Sequence, residues 1–366
     1  MTPVYLQRSA LLSALGADLE SAAQALHEDR KPTAKPFTLH ERGEPRSYLN
    51  VRADADDLER RLDRLLAETL GNDSAADCLL LIASTSLDIN ELEARATREQ
   101  GFRREHSTPL DLLAERLGQR WGFLDAFTLN TACTSAANGL LYGARLLAAG
   151  HCRRVLVLAF ETPSVLAMQG FGALDLSSPS GQYRPFHPQR DGLVLGEAYA
   201  ATLLGLEPGP APLARLLGGF SACDTSSLTS TREDGSHIDW VMQRALHSAG
   251  RQVEDIALVK LHGTATGAND LAESNGIRRL FGDTPPPLSV LKPWLGHTLG
   301  ACGLSEPLLL LSALRLGQLP PLDYAREALL PLPTAAFGMP TDGLLMANFF
   351  GFGGNNASLV LQGMRT

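Results

Sequence analysis

The sequence predicts an α/β protein in which helices are layered on mixed sheets. Three observations carry this: short apolar runs alternate with segments of helical periodicity, 34 of 366 residues are glycine, and one Pro/Gly cluster splits the alternation into two series. A chain this long exceeds what one hydrophobic core comfortably serves, so two sub-domains or one large layered fold is expected. Hydrophobic residues make up 44% and charged ones 20%, enough for a sizeable core and too apolar for a disordered chain.

The spacing of apolar residues predicts helices over 18–28, 54–70, 108–120, 134–149, 235–250, 268–281 and 299–317. Between them lie "DCLLLIAS" (77–84), "RRVLVLAF" (153–160), "EAYAATLLGL" (197–206), "IALVKLHG" (256–263), "LLMANFFG" (344–351) and "ASLVLQG" (357–363). Each is short and largely apolar, as a strand covered on both faces requires. "EPGPAP" at 207–212 marks a boundary, giving one half over 1–207 and a second over 208–366. The interval 94–108 is the most polar and basic and reads as a surface loop or exposed helix. No repeat or low-complexity tract is visible.

A formal net charge of -8 disfavours nucleic acid as a partner and leaves room only for a local basic patch. The N-terminus lacks a basic stretch followed by a sustained apolar core, and no run of about 18 uninterrupted apolar residues offers a membrane span. A cytoplasmic protein is expected. Five scattered cysteines without a CxxC pair fit reduced thiols rather than a disulfide framework or a metal site.

One cysteine stands apart. Cys133, in "TACTSAANGLLYGARLLAAG" (131–150), follows the strand-like "FLDAFTLN" and precedes a Gly/Ala-rich helical pattern. A lone cysteine is more often a small buried filler. At a strand-to-helix turn, however, the helix dipole and free N–H groups favour a thiolate and supply an oxyanion donor. Two histidines lie in Gly/Thr-rich loops after strand-like runs: His262 in "KLHGTATGAND" and His297 in "LKPWLGHTLGACG". Either alone is more often structural, but strand ends are where an α/β fold collects reactive groups. "NFFGFGGNN" (348–356) is a tight hairpin or, with its phenylalanines, a backbone oxyanion donor behind an aromatic gate.

Five motifs in order make the chain resemble the β-ketoacyl-[acyl carrier protein] synthases of the elongating type, within the thiolase-like superfamily. They are "TACTSA", "RPFHPQRDGLVLGEA" (184–198), "HGTATGANDLAE", "KPWLGHTLGACG" and "NFFGFGG". The resemblance runs from about residue 50 to the C-terminus. It implies a thiolase-like fold of two pseudo-duplicated mixed-sheet halves in a layered αβαβα arrangement, with the cysteine in the first half and both histidines in the second. It further implies that Cys133 takes an acyl chain from acyl carrier protein, while His262 and His297 hold the malonyl thioester carbonyl during decarboxylation. Lys292 and Glu273 match a supporting polar pair, and Thr264 and Thr266 match hydroxyls on the phosphopantetheine arm. The resemblance also implies that Phe352 supplies an oxyanion N–H and a gating ring, with Phe350 beside it. No bound cofactor is expected, since substrates arrive on the carrier's arm.

The carrier is acidic, so its docking patch should be basic. Arg60, Arg61 and Arg64 of "LERRLDRLL" are the candidates, with Arg103 and Arg104 next. A homodimer or a pair with a related ketosynthase is expected. The chain is short ahead of Cys133, and "GEA", "GACG" and "GGNN" replace GEG, GAAG and GGTN; none of these removes a catalytic side chain. A degradative thiolase would need a cysteine in the C-terminal glycine loop, and a priming condensing enzyme would carry asparagine in place of His262. The remaining rival is a chain-length-determining subunit of a heterodimeric ketosynthase, which usually lacks the cysteine.

Overall fold

The computed structural model describes residues 1–38, 45–51, 57–98, 101, 112–226 and 232–364. The first half holds β1 (Val4–Ser13), α1 (Leu19–His27), β2 (Lys35–Phe37), β3 (Arg46–Leu49), α2 (Leu58–Leu70), β4 (Cys78–Ala83), α3 (Ile89–Arg98) and α4 (Leu112–Trp121). It continues through β5 (Asp125–Leu129), α5 (Ser135–Ala148), β6 (Arg154–Glu161), α6 (Val165–Ala173), β7 (Leu195–Gly196) and β8 (Ala198–Gly205). The second half holds β9 (Ala214–Cys223), α7 (Ser236–Ala249), β10 (Ile256–Lys260), α8 (Gly267–Phe281), β11 (Leu288–Ser289), α9 (Lys292–Leu295), α10 (Cys302–Leu316), β12 (Leu344–Phe350) and β13 (Asn355–Gly363).

Among the described residues ten strands form one sheet in the order β11-β10-β12-β13-β9-β1-β8-β6-β4-β5. The order is duplicated: read outward from the centre, β1-β8-β6-β4-β5 and β9-β13-β12-β10-β11 share one pattern of two antiparallel and then two parallel pairings. The sheets of the two halves join where Val4 to Leu6 of β1 pair antiparallel with β9. That short ladder lets the halves stack as two layers. Helices α5 and α10 touch each other and strands of both halves, so they form the middle layer. On the outer faces α2 and α4 cover the first half, and α7 covers the second, with α8 against α7.

The buried elements follow from composition. Strands β4, β6, β8 and β12 are buried along nearly their whole length, as their largely apolar sequences require. Helix α2 buries Leu58, Leu62, Leu65 and Leu66, a single stripe at helical spacing. The stretch Leu299–Leu316 is long and apolar enough to cross a membrane, but 78% of it is buried inside the protein, where it is the core helix α10.

The short strands β2, β3, β7 and β11 escape the sequence pattern, and so do the long strands β1 and β9. In β1 the run is broken by Gln7, Arg8 and Ser9, and a register shift falls between Leu6 and Arg8. In β9 a Gly-Gly pair reads as a turn. The structure shows its use: a Cβ on Gly218 would sit 2.5 Å from the Ala249 nitrogen, so the end of α7 closes directly on the strand. Helix α6 was also unread, being apolar all round. The polar interval after 94 begins as the end of α3, and 102–111 lie outside the described residues.

Candidate active site

Strand β5 ends against a tight turn that delivers Cys133 just before the first residue of α5. Ala132 is held at φ 53°, a left-handed conformation costing a non-glycine residue about 1–2 kcal/mol. Hydroxyls and an amide compensate. Ser135 Oγ accepts from the Thr131 N–H at 2.9 Å and donates to the Ala132 carbonyl at 2.6 Å; Thr134 Oγ1 donates to the Thr131 carbonyl at 2.7 Å; Asn138 Nδ2 donates to Thr131 Oγ1 at 2.8 Å. The result is a buried thiol whose Sγ lies 3.1 Å from His297 Nε2.

His262 follows β10. Its loop is folded back by two carboxylates of α8: Glu273 accepts the N–H groups of His262 (2.6 Å) and Gly263 (2.8 Å), and Asp270 accepts those of Thr264 (3.0 Å) and Ala265 (3.2 Å). Asp270 also accepts the Phe186 N–H at 2.6 Å, which ties in the "RPF" segment. His297 follows α9 through Gly296, and its N–H donates to the Val194 carbonyl at 2.7 Å. Here the "GEA" motif has a steric role: a Cβ on Gly196 would lie 2.0 Å from the Leu295 carbonyl oxygen, so only glycine allows the two backbones to touch.

The imidazoles meet edge to face with ring centroids 5.4 Å apart. Phe350, ending β12, stands 6.1 Å from His262, and the next turn brings the Phe352 N–H to the Cys133 sulfur. The Phe352 ring packs edge-on against Phe171 of α6 at 5.4 Å. Cys133, both histidines, Thr264, Thr266 and Phe352 line one cavity of about 220 Å³, walled on its apolar side by Leu174, Leu176 and Leu193. The two threonine hydroxyls are 2.9 Å apart.

The charges sit behind the cavity. Lys292 Nζ donates to the His262 carbonyl (2.5 Å) and to Glu306 Oε1 (2.7 Å), and lies 3.4 Å from His262 Nδ1. An ammonium can only donate, so Nδ1 accepts and neutral His262 carries its proton on Nε2. Among the described residues that Nε2 has no partner. Burial, and then the Lys292 charge, holds both histidines well below the usual imidazole range. Burial opposes the Lys292 charge, but Glu306 and then Cys302 outweigh it and keep Lys292 above the ordinary lysine value. The three ligand atoms of Cys133, His262 and His297 lie within 4.8 Å of one another, a spacing a divalent metal also uses. The buried Lys292 and Lys260 ammoniums behind them oppose a cation there.

Three sequence expectations are corrected. The elbow does not favour a thiolate at rest: burial pushes the Cys133 thiol up to about 12, against the opposing pull of Lys292 and the Phe352 N–H. Lys292 does not pair with Glu273, whose carboxylate is taken by the His262 and Gly263 N–H groups; the acid that holds Lys292 is Glu306. Arg61 is no part of an exposed basic patch. Its side chain is 13% exposed and bonds Glu197 (2.7 Å) and the Tyr199 hydroxyl (3.0 Å), whereas Arg60 and Arg64 stand exposed one helical turn apart. Arg103 and Arg104 lie outside the described residues.

Sequence reading missed Glu306, Lys260, Asp270 and Phe171. A signal existed for the first two: Glu306 is the lone acid in the apolar α10, and Lys260 the lone charge in the apolar β10. Buried charges in such runs mark polar partners across the core.

The duplicated fold and the Cys–His–His cavity define a condensing enzyme of the thiolase-like superfamily. Family models described as Beta-ketoacyl synthase, N-terminal domain and Beta-ketoacyl synthase, C-terminal domain match residues 88–207 and 213–323. The chain is 32% identical over 305 residues to 3-oxoacyl-[acyl-carrier-protein] synthase 2 of Vibrio cholerae serotype O1, covering 76% of this chain and 73% of that protein. It is 31% identical to the synthase 2 of Vibrio harveyi, covering 75% and 72%. Among solved structures, a ketosynthase in complex with its chain length factor from Xenorhabdus doucetiae matches with a TM-score of 0.85 at 26% identity, over 99% of this chain and 98% of that one. The chain belongs to the β-ketoacyl synthase family, and it is an acyltransferase of the ketosynthase class.

Proposed function

We propose that this protein catalyses decarboxylative Claisen condensation of an acyl group held on Cys133 with malonyl-[acyl carrier protein], giving β-ketoacyl-[acyl carrier protein] in fatty acid, polyene or polyketide chain elongation. The observation that carries the reading is one cavity whose inner wall holds a buried thiol, two neutral imidazoles and the Phe352 N–H. In the first half-reaction the Cys133 sulfur attacks the carrier thioester, and its proton leaves on the released pantetheine sulfur. Burial pushes the thiol up to about 12, so the proton leaves as the S–C bond forms.

In the second half-reaction the malonyl C–C bond breaks and carbon dioxide leaves. The enolate oxygen accepts hydrogen bonds from Nε2–H of His262 and of His297. The enolate carbon then attacks the Cys133 thioester carbonyl, and the tetrahedral oxyanion rests on the N–H groups of Cys133 and Phe352. Collapse forms the β-ketoacyl thioester and returns the thiol after protonation. Each step places donors where charge develops.

Thr264 and Thr266, at the cavity wall, hold the amides of the phosphopantetheine arm, and no separate cofactor takes part. Arg60 and Arg64 belong to the carrier's docking face. Strand β5 is the outer strand of the sheet and exposes Phe127, with Leu124 beside it, an edge suited to a second copy or a related ketosynthase. We divide the halves near 207, between β8 and β9. All five cysteines are unpaired, in keeping with a cytoplasmic location.

The decisive experiment is intact-mass analysis and peptide mapping after incubation with an acyl carrier protein thioester. The acyl mass is expected on Cys133. An unmodified Cys133 would instead support the second reading, a chain-length-determining or scaffolding partner subunit of a heterodimeric ketosynthase.

A further inference from the structure

Lys260 is fully buried in β10, and the condensation chemistry gives it no task. Its Nζ bonds Glu306 Oε2, while Oε1 of the same carboxylate binds Lys292 at 2.7 Å. Its other neighbour is the Phe349 ring, whose centroid is 3.7 Å from Nζ. A single carboxylate is therefore shared by two ammonium groups. Burying a second charged lysine is costly unless its placement does something.

We propose that Lys260 is a positioning residue for the condensation: by taking the second oxygen of Glu306 it fixes Lys292, and with it the proton arrangement of His262. The chain of contacts is continuous. Lys260 holds Glu306, Glu306 aims Lys292, and Lys292 occupies the carbonyl of His262 and faces Nδ1. Protonation of Nδ1 would turn that acceptor against an ammonium 3.4 Å away and expel the ring from its place. Burial pushes Lys260 below the ordinary lysine value, and Glu306 opposes that shift. One lysine paired with one carboxylate is electrically neutral, and while Lys260 keeps its proton the second ammonium leaves a positive excess that opposes protonation of Nδ1.

The groups facing the two histidines from the surrounding elements are Lys260 on β10, Lys292 on α9, Glu306 and Cys302 on α10, Glu273 and Asp270 on α8, and Cys133 ahead of α5, with Tyr183 close to the thiol. Burial holds Glu273 up at about 7 and Asp270 at about 6, and the carboxylates of both are directed at the N–H groups of His262, Gly263, Thr264 and Ala265 rather than at the imidazoles. Both histidines register the Lys260 charge in the same direction, beside the larger effects of burial and Lys292.

The inference rests on the proposed condensation but is tested apart from it. Nitrogen-15 signals of His262 and His297 are titrated in the resting wild type, in Lys260→Met and in Lys260→Gln, and malonyl carrier protein decarboxylation is followed against pH in the same three proteins. In both variants His262 is expected to titrate at higher pH than in the wild type, and the acid limb of decarboxylation to move up by about half a unit or more. The maximal rate falls while KM for malonyl carrier protein holds. A folded variant whose histidine signals and acid limb coincide with those of the wild type would overturn the proposal, even if its Tm dropped. If Lys260→Met does not fold, Lys260→Gln, which keeps a donor for Glu306, decides; failure of both to fold would also overturn it, since a residue that only positions protons is dispensable for folding. Absent decarboxylation in the wild type would instead count against the condensation reading and leave the titration to judge Lys260.

Discussion

The two halves of the molecule share one strand order and differ in how each holds its reactive group. In the first half, Cys133 is fixed by backbone strain at Ala132 and by uncharged Thr131, Thr134, Ser135 and Asn138. In the second, His262 and His297 are backed by Lys260, Lys292, Glu273 and Glu306, all fully buried and charged in type. Topology therefore does not decide the chemistry; the residues placed at the strand ends do. A nucleophile that must stay neutral until substrate arrives needs geometry. Donors that must keep one tautomer need fixed charge.

The sharpest way to break this comparison is to remove each half's reactive group. Cys133→Ala should abolish condensation while circular dichroism and Tm stay near wild type, because a small buried side chain is lost from a turn secured by other residues. Cys133→Gln should separate the halves' tasks, losing condensation but retaining carbon dioxide release from malonyl carrier protein. Condensation by Cys133→Ala would remove the nucleophile from the first half altogether.

His262→Ala and His297→Ala should each lower decarboxylation about 100- to 1000-fold, the usual weight of one oxyanion donor. Acylation of Cys133, read by mass, should suffer less. A variant with undiminished decarboxylation would show that its imidazole does not meet the enolate.

A smaller effect sharpens the view of α2. Arg60→Glu with Arg64→Glu should raise KM for carrier-bound substrate and weaken the rise of KM with salt, while turnover of a short acyl-pantetheine stays constant. Arg61→Glu should act differently, because it breaks the inward pair with Glu197. Its cost of about 3–5 kcal/mol would appear in Tm and lower both substrates' rates together. Equal behaviour of the two sets would contradict the inward turn of Arg61.

The smallest effect concerns Glu161, the buried acid of the first half. Burial pushes its carboxyl up to about 7 from 4.5, although the Thr85 N–H, Ser86 hydroxyl and Gly300 N–H (3.1 Å) all bond it. A carboxyl raised on folding stabilises most below its unfolded value, and that contribution fades as pH rises through about 7. Wild-type Tm should therefore fall more than that of Glu161→Gln between about pH 6 and about pH 8. Parallel curves would show that Glu161 ionises without cost.

What was legible in the sequence was local. The apolar strands, the amphipathic α2 and the turns carrying Cys133, His262 and His297 can each be read from a dozen residues, because burial and turn chemistry act over that range. The strands β1 and β9 were not legible, since Arg8 and the Gly-Gly pair obey contacts made by distant segments.

The sequence by itself determined an α/β chain with a thiol and two histidines at strand ends, and the motif order that joins them to one family. Only the tertiary structure decided which charges serve them. Arg61 points inward because Glu197 and Tyr199, some 136 and 138 residues away in the chain, stand over it. Glu306 rather than Glu273 holds Lys292 because α10 passes between the halves while α8 spends its carboxylates on loop N–H groups. Spacing along a chain constrains contacts within a helix or a turn; partners across a core are chosen by packing, which no local pattern records.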